Sequence, residues 1–474
     1  MTGNTASKAR SGNSGHTKHT GKACQNTAPK RTGGRTANAR ETACRLLERA
    51  EKGAYSNIAL DREFSVTGLD DRDKALAARL FYGVCERRVT LEHLLGKYLS
   101  RPVSKLDSPV RNALLTGTYQ LLYMDSVPDS AAVNEAVELV RVMKKSSAAG
   151  MVNAVLRSII RDGKAIPPVS GDFYEKAAVE YSCPAALIRR ICEGYGRENC
   201  ISLLEYSLKT PAAVLRANTL LTSGEELAGR LREGGVNARV SDHSENAVVC
   251  HGLRDIDSEP CFRAGLYHVQ DFSSQLCCMA VSPKPSQTVI DLCAAPGGKS
   301  FTMAQMMNGT GRIFSCELHE KRTGLIRSGA KRLGLDNITA VTCDGRVHDS
   351  SLPEADAVLC DVPCSGYGVM GRKPEIRLKP LSEADSLPEI QLQLLRNGSA
   401  YVKKGGILVY STCTVNINEN EGVAEKFLAE NPGFEWAQFP DDMGERFKGK
   451  SCRAVFPGDF DSDGFFIARM RRRA

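Results

Sequence analysis

The chain of 474 residues contains no run of apolar residues close to the ~18 that a membrane-spanning helix requires. Its 17 cysteines are scattered, and they form neither a Cys-x-x-Cys pair nor a Cys/His group at the spacing of a zinc site. An odd number of scattered cysteines, with no apolar segment of a signal peptide before them, argues against a disulfide framework. We therefore expect a protein of the reducing cytoplasm without membrane spans, disulfides or a bound metal.

The start of the chain lacks both large apolar and acidic side chains. Residues 1–38 contain no Leu, Ile, Val, Phe or Tyr, and residues 1–40 contain eight Lys and Arg but no Asp or Glu. Burial in such a segment is too small to offset the entropy lost on ordering. We predict that residues 1–38 form a disordered basic tail, which is either solvated without a specific role or an arm that contacts nucleic acid.

The length of the chain leaves room for about three domains. Between residues 39 and 163, apolar residues recur at helical spacing with short connections, which predicts an all-α bundle of about five helices. Pro167 and Pro168 mark a linker, and residues 164–285 mix short helical and strand-like segments. This mixture indicates a small α+β unit.

The last part of the chain, residues 286–474, alternates strand-like and helical segments. The predicted strands are 289–292, 312–317, 338–343, 357–361 and 406–411, and the predicted helices are 300–307, 320–333, 382–402 and 418–430. This alternation is typical of βαβ units and predicts a doubly wound parallel sheet. Ligands of such sheets bind beyond the carboxyl ends of the strands, so the residues that follow each strand are the candidate site.

The first three predicted strands are followed by residues suited to a nucleoside. The first is followed by Cys293, Ala294, Ala295, Pro296, Gly297, Gly298 and Lys299. Small residues and two glycines allow the backbone to approach a ligand where a helix begins. Glu317 lies where an acid commonly accepts hydrogen bonds from ribose hydroxyls, and Asp344 follows the third strand. We predict a site for a nucleoside-bearing cofactor; the alternative is a tight glycine turn with solvated acids.

Two cysteines and a carboxylate follow the remaining predicted strands. Asp361 and Cys364 come after the fourth strand, and Cys413 comes after the fifth. Thiols beside a cofactor are candidates for covalent catalysis, although a single cysteine at a strand end is more often a small buried side chain. The segment Gly366–Gly371 matches G-x-G-x-x-G, but Pro374 follows where a helix should begin, which argues against a dinucleotide site.

Several segments resemble known families. DLCAAPGGKS (291–300), LCDVPCSGYGVMGRKPEI (359–376) and VYSTCTVNINENE (409–421) resemble the RNA cytosine-C5 methyltransferases that carry two motif cysteines. ARETACRLLERAEKGAYSN (39–57), LDDRDKALAARLFYGVCERR (69–88) and VNAVLRSIIR (152–161) resemble the NusB fold. A NusB-like domain fused to such a methyltransferase is similar to the RsmB/Sun family of rRNA methyltransferases. The resemblance covers about residues 39–474.

The resemblance implies a multidomain fold and a cofactor. It divides the chain into an all-α NusB-like domain (39–163), a small α+β RNA-binding or linker domain (164–285) and an α/β Rossmann-like class I methyltransferase domain (286–474). The implied cofactor is S-adenosylmethionine, bound by the loop from Cys293 to Lys299 with Glu317, Asp344 and Asp361. Position 317 is Glu where the family commonly has Asp, which keeps a ribose acceptor on a longer arm.

The resemblance also implies a substrate and roles for the catalytic residues. The implied substrate is 16S rRNA, either naked or in a partly assembled small subunit, and the implied product is a cytosine methylated at C5. Cys413 would be the nucleophile that adds to C6, Cys364 would assist release, and Asp361 would stabilise the base. No protein partner is implied, and we expect a monomer.

Two other functions stay open at this point. The chain could be a non-catalytic NusB-type RNA-binding or antitermination factor, although a binding module has no need of both motif cysteines. It could instead methylate an exocyclic amino group, but that chemistry generally uses an Asn/Asp-Pro-Pro-aromatic loop. The corresponding residues in this sequence are Asp361, Val362, Pro363 and Cys364.

Overall fold

The structure is a computed structural model that describes residues 38–51, 56–209, 212–253 and 255–474. The predicted tail therefore lies outside the described residues, except for its last member, Asn38. The side chain of Asn38 accepts a hydrogen bond from the backbone N–H of Glu41 at 2.8 Å and caps the first helix. Within these ranges, no helix is both long and apolar enough to span a bilayer.

The first part of the described chain is the predicted all-α bundle. Its helices are α1 (Ala39–Ala50), α2 (Ser56–Thr67), α3 (Asp71–Gly96), α4 (Ser108–Tyr123), α5 (Asp129–Val142) and α6 (Ala149–Arg161). The long helix α3 shows why the pattern predicted a bundle, because Leu80, Val84 and Leu91 on it are fully buried against neighbouring helices. The sequence pattern did not indicate α2 as a separate helix.

The middle part is a helical segment followed by a small antiparallel sheet. Its elements are α7 (Phe173–Glu180), α8 (Ala185–Tyr195), α9 (Arg197–Tyr206), β1 (Ala213–Ala217), α10 (Gly224–Glu233), β2 (Asn237–Ser241), β3 (Ser244–His251), α11 (Pro260–Arg263), β4 (Tyr267–Val269) and α12 (Phe272–Val281). The strand order is β2-β3-β1-β4, and α10 packs its buried Leu227 and Leu231 against the sheet. This is the predicted α+β unit.

The last part contains a large sheet covered by helices. Its elements are β5 (Thr288–Asp291), α13 (Gly298–Met306), β6 (Arg312–Glu317), α14 (Glu320–Leu333), β7 (Ile338–Thr342), β8 (Ala355–Asp361), α15 (Leu381–Asp385), α16 (Leu387–Ala400), β9 (Val402–Thr412), α17 (Glu421–Glu430), β10 (Phe434–Trp436), β11 (Cys452–Val455), α18 (Pro457–Phe460) and β12 (Phe465–Arg472). Strands β5 to β9 pair in parallel, as predicted. The five strand ends therefore lie at one edge.

The complete sheet is mixed rather than parallel throughout. Its order is β10-β12-β9-β8-β5-β6-β7, and β12 pairs antiparallel with β9 and with both β10 and β11. The predicted parallel sheet is thus correct for its centre and wrong for one edge. The strands after residue 431 are not separated by the long helices that mark βαβ units, since only the four-residue helix α18 lies between two of them. The predicted helix over 382–402 is two helices, because Pro388 lies in the first turn of α16 and lacks the N–H that would continue α15.

Candidate active site

The loop after β5 brings the backbone close to the edge of the sheet. Gly297 has φ +116°, and a Cβ there would lie 2.3 Å from Cζ of Phe301, so only glycine fits. Helix α13 begins at the next residue, Gly298, and the first N–H groups of a helix have no partner within the helix. Within the same loop Ala294 is buried, Cys293, Ala295 and Lys299 are half-buried, and Pro296 is exposed.

The acids after β6 and β7 lie at neighbouring strand ends. Glu317 is 4% exposed, accepts a hydrogen bond from the N–H of His319 at 3.1 Å, and pairs with Arg322 at 3.1 Å. Asp344 pairs with Arg346 at 2.6 Å, and these hydrogen bonds hold the pKa of Asp344 below its usual value. Both carboxylates thus accept hydrogen bonds at the rim of the sheet.

Two exposed apolar side chains accompany these acids and were missed by the sequence analysis. Leu318 directly follows Glu317 and is 51% exposed, and Val347 lies three residues after Asp344 and is 65% exposed. Carboxylates suit ribose hydroxyls, and apolar side chains beside them suit the faces of a base. The acceptor and apolar side chains at this rim therefore fit a nucleoside.

Asp361 is held by two side chains at the end of β8. Lys299 Nζ lies 2.7 Å from its Oδ2, and Ser411 Oγ donates a hydrogen bond to its Oδ1 at 2.8 Å. Asp291 lies fully buried at the end of β5, where burial raises its pKa to about 7. One of its oxygens accepts from Ser300 Oγ at 2.7 Å, and the other has no hydrogen-bond partner among the described residues. The sequence analysis assigned no role to Asp291.

The two motif cysteines meet at the ends of β8 and β9. Their sulfur atoms are 3.3 Å apart, and both side chains are half-buried. The hydrogen bond with Cys364 lowers the pKa of Cys413, although burial and Asp361 oppose this effect. The same hydrogen bond, together with burial, raises the pKa of Cys364. The arrangement favours a thiolate on Cys413 and a thiol on Cys364.

Cations near Cys413 add to this difference. Lys373 and Lys299 both lower the pKa of Cys413 through their charge. The position of Lys373 is fixed by its neighbour Arg372, which pairs with Asp463 at 2.6 Å and with Asp271 at 2.7 Å. The sequence analysis gave Lys373 no role, because nothing in the motif indicates that the chain folds back toward Cys413.

The structure also explains the glycines of the segment Gly366–Gly371. The segment forms a short 3-10 turn, Tyr367–Val369, and continues into a second one, Pro374–Leu378. A Cβ at Gly368 would lie 1.9 Å from the carbonyl oxygen of Gly464, so the glycine permits close contact with the chain that leads into β12. Gly368 therefore serves packing beside Cys413, whose carbonyl oxygen would lie 2.9 Å from the same Cβ.

The carboxyl ends of the five parallel strands carry a glycine loop, two acids suited to ribose hydroxyls and a pair of cysteines. This combination is that of an S-adenosylmethionine-dependent methyltransferase. Sequence comparisons agree with this class. The profile described as 16S rRNA methyltransferase RsmB/F matches residues 278–471, the NusB profile matches 37–161, and an RsmF/B-like ferredoxin-like profile matches 183–257. The chain belongs to the RsmB/F methyltransferase family. The predicted NusB-like and methyltransferase folds are thereby confirmed, whereas the predicted domain boundaries remain predictions.

Relatives match almost the whole chain. The chain is 35% identical over 440 residues to the probable ribosomal RNA small subunit methyltransferase B of Bacillus subtilis (strain 168), a match that covers 90% of this chain and 97% of that protein. The protein of the same name from Synechocystis sp. is 33% identical over 436 residues, with 89% and 96% covered. The crystal structure of PH0851 shares the fold, with a TM-score of 0.76, 23% identity, and coverage of 91% of this chain and 99% of that one.

Proposed function

We propose that the protein transfers a methyl group from S-adenosylmethionine to C5 of a cytosine in 16S rRNA, through a covalent bond between Cys413 and C6. The observation that carries the proposal is the pair of sulfur atoms 3.3 Å apart beside Asp361 at the cofactor edge. The names of the Bacillus and Synechocystis relatives support small-subunit rRNA as the substrate. The RNA would be naked or part of an incompletely assembled subunit.

The cofactor would lie along the carboxyl edge of the parallel strands. The loop from Cys293 to Lys299 would face it with backbone, Glu317 and Asp344 would accept hydrogen bonds from its polar groups, and Leu318 and Val347 would contact its base. Asp361 would close the site on the side of the cysteines. When bound, the cofactor supplies an electrophilic methyl group on a sulfonium.

Cytosine C5 needs activation before it can accept that methyl group. Addition of the Cys413 thiolate to C6 forms an S–C6 bond and shifts the electrons of the C5=C6 double bond to C5. The Asp361 carboxyl group, oriented by Lys299 and Ser411, would hydrogen-bond the N3/N4 edge of the base and stabilise charge that gathers there. The target base must leave its stack to reach this edge.

Release requires that the S–C6 bond break again. The proton on C5 leaves to water, the C5=C6 double bond forms again, and Cys413 departs as a thiolate. The Cys364 sulfur lies 3.3 Å from the Cys413 sulfur, and its S–H would stabilise the departing thiolate by a hydrogen bond. This assigns attack to one cysteine and release to the other.

The chemical identity of the product tests this proposal. Purified protein is incubated with transcribed 16S rRNA and S-adenosylmethionine, and the digested nucleosides are identified by mass spectrometry against standards. We expect 5-methylcytidine, at one position that bisulfite sequencing then locates. N4-methylcytidine would support exocyclic amino methylation instead, and an unmodified transcript, with naked and partly assembled substrates both tried, would contradict the proposal.

Replacement of Glu317 by alanine is expected to weaken S-adenosylmethionine binding, because the ribose would lose its acceptor in a buried position. The loss should be about 1–3 kcal/mol, which is roughly 5- to 160-fold in Kd. Isothermal titration calorimetry measures it. Glu320→Ala is the matched control, since Glu320 is an exposed acid at the start of α14 that pairs with Arg327. Equal affinity of both folded variants would show that Glu317 does not bind the cofactor.

A further inference from the structure

A buried carboxylate outside the predicted site lies at the centre of the contacts around the two cysteines. Glu419, in the loop between β9 and α17, is fully buried. Its side chain accepts four hydrogen bonds from neutral donors: Ser365 N–H at 2.9 Å, Ser365 Oγ at 2.5 Å, Gln391 Nε2 at 2.9 Å and Asn416 Nδ2 at 2.8 Å. The sequence analysis gave Glu419 no role.

These hydrogen bonds hold the chain on both sides of Cys364. Glu419 binds the backbone and hydroxyl of Ser365, the residue after Cys364. Gln391 Nε2, which donates to Glu419, also donates to the carbonyl oxygen of Pro363 at 3.0 Å, the residue before Cys364. The backbone that carries the Cys364 thiol is therefore fixed at both ends by one carboxylate and its partner amide.

The same contacts fix this loop relative to Cys413. Ser365 Oγ lies 2.7 Å from Thr414 Oγ1, and Thr414 directly follows Cys413. Asn416, on the Cys413 side, donates to the second oxygen of Glu419. Glu419 thus bonds to both cysteine loops, and the two sulfur atoms lie 3.3 Å apart.

A carboxylate in this position costs desolvation energy, which is tolerable only while every donor stays in place. The groups that donate to Glu419 are therefore held in fixed positions, and the backbone that carries the Cys364 thiol is held with them. The negative charge of Glu419 also contributes to the raised pKa of Cys364, so it favours a protonated Cys364 beside the Cys413 sulfur. Geometry and charge both prepare Cys364 to donate its S–H.

We propose that Glu419 is a positioning residue for product release: it holds the Cys364 thiol against the Cys413 sulfur, so that Cys413 can leave C6 of the methylated base. The inference rests on the proposed function and assigns to Glu419 an effect on release rather than on attack. Replacement of Glu419 should consequently increase the covalent enzyme–RNA species, as replacement of Cys364 should, whereas replacement of Cys413 should prevent its formation.

The test is the fate of the covalent enzyme–RNA species in Glu419→Gln. Glutamine has nearly the same shape but replaces one acceptor oxygen by a donor, which cannot accept the hydrogen bonds of Ser365 or Gln391. We expect kcat to fall about 5- to 100-fold, with KM for RNA changed much less, while denaturing electrophoresis shows several-fold more covalent adduct than wild type. Glu419→Asp, which retains the charge, should restore part of the release rate.

Three parallel variants separate the outcomes. Glu421→Gln is the matched control, because Glu421 lies two residues away and accepts a hydrogen bond from Tyr195 OH at 2.6 Å, on the side of α8; its adduct should stay at the wild-type level. Cys364→Ala marks full loss of assistance. Ser365→Ala removes one donor to Glu419, and it should raise the adduct in the same direction even where Glu419→Gln does not fold.

Each contrary result has a separate meaning. One such result is release at the wild-type rate in folded Glu419→Gln while Cys364→Ala accumulates adduct. If Glu419→Gln does not fold, the same comparison is made with Ser365→Ala. Either result would overturn the role of Glu419 and leave the proposed function intact. Loss of methylation without adduct in Glu419→Gln would also overturn it, because attack would then be impaired. Absence of adduct in Cys364→Ala as well would instead count against the covalent mechanism.

Discussion

Replacement of Cys413 by alanine is expected to abolish methyl transfer, with a decrease in kcat of about 10⁴-fold or more. Without the thiolate no group can add to C6, so C5 stays unreactive toward the methyl group of the cofactor. Neither methylated RNA nor a covalent enzyme–RNA species should form. Methyl incorporation from labelled S-adenosylmethionine and denaturing electrophoresis measure the two outcomes in one reaction.

The control for this experiment is Cys452→Ala. Cys452 is also half-buried, but it lies on β11, outside the edge where the parallel strands end. Its replacement should leave methyl transfer near the wild-type rate, which separates a catalytic thiol from a merely packed one. Substantial methyl transfer by Cys413→Ala would contradict the assignment of Cys413 as the nucleophile.

Replacement of Cys364 by alanine is expected to trap the enzyme on its RNA. Cys413 can still attack and the methyl group can still be transferred, but the departing thiolate loses the Cys364 thiol, whose sulfur lies 3.3 Å from that of Cys413. Turnover should fall by two or more orders of magnitude, as is typical when a group that acts in one catalytic step is removed. A band of low mobility that survives denaturation and contains methylated RNA would show the trapped species.

The two cysteine variants together decide which sulfur attacks. If Cys413→Ala trapped RNA while Cys364→Ala was inert, the roles would be reversed, and the nucleophile would be the Pro-Cys thiol that DNA cytosine-C5 methyltransferases use. Full activity in both variants would exclude the covalent mechanism altogether. The lowered pKa of Cys413 and the raised pKa of Cys364 support Cys413 as the nucleophile and Cys364 as the thiol that assists release.

The parallel centre of the large sheet could be predicted because local patterns report it directly. Strand β6 and helix α14 have the bounds that the alternation of apolar segments predicted, and the residues that follow strands β5 to β9 form the site. The antiparallel edge could not be predicted in this way. Strand β12 is the last strand of the sequence, yet it pairs with β9 and lies between β9 and β10, and such pairing depends on contacts distant in sequence.

The sequence by itself determined the fold class, the edge of the sheet where chemistry occurs, and the residue types present there, because strand period, helix period and glycine positions act over a few residues. Only the tertiary structure gave these two similar thiols different surroundings, which lower the pKa of Cys413 and raise the pKa of Cys364. That difference depends on the hydrogen bond between the two thiols, on the charge of Lys373 and on a loop held by Glu419. Hydrogen bonds and charges act through distance in space, and three strand ends separated in sequence meet only after the sheet has formed.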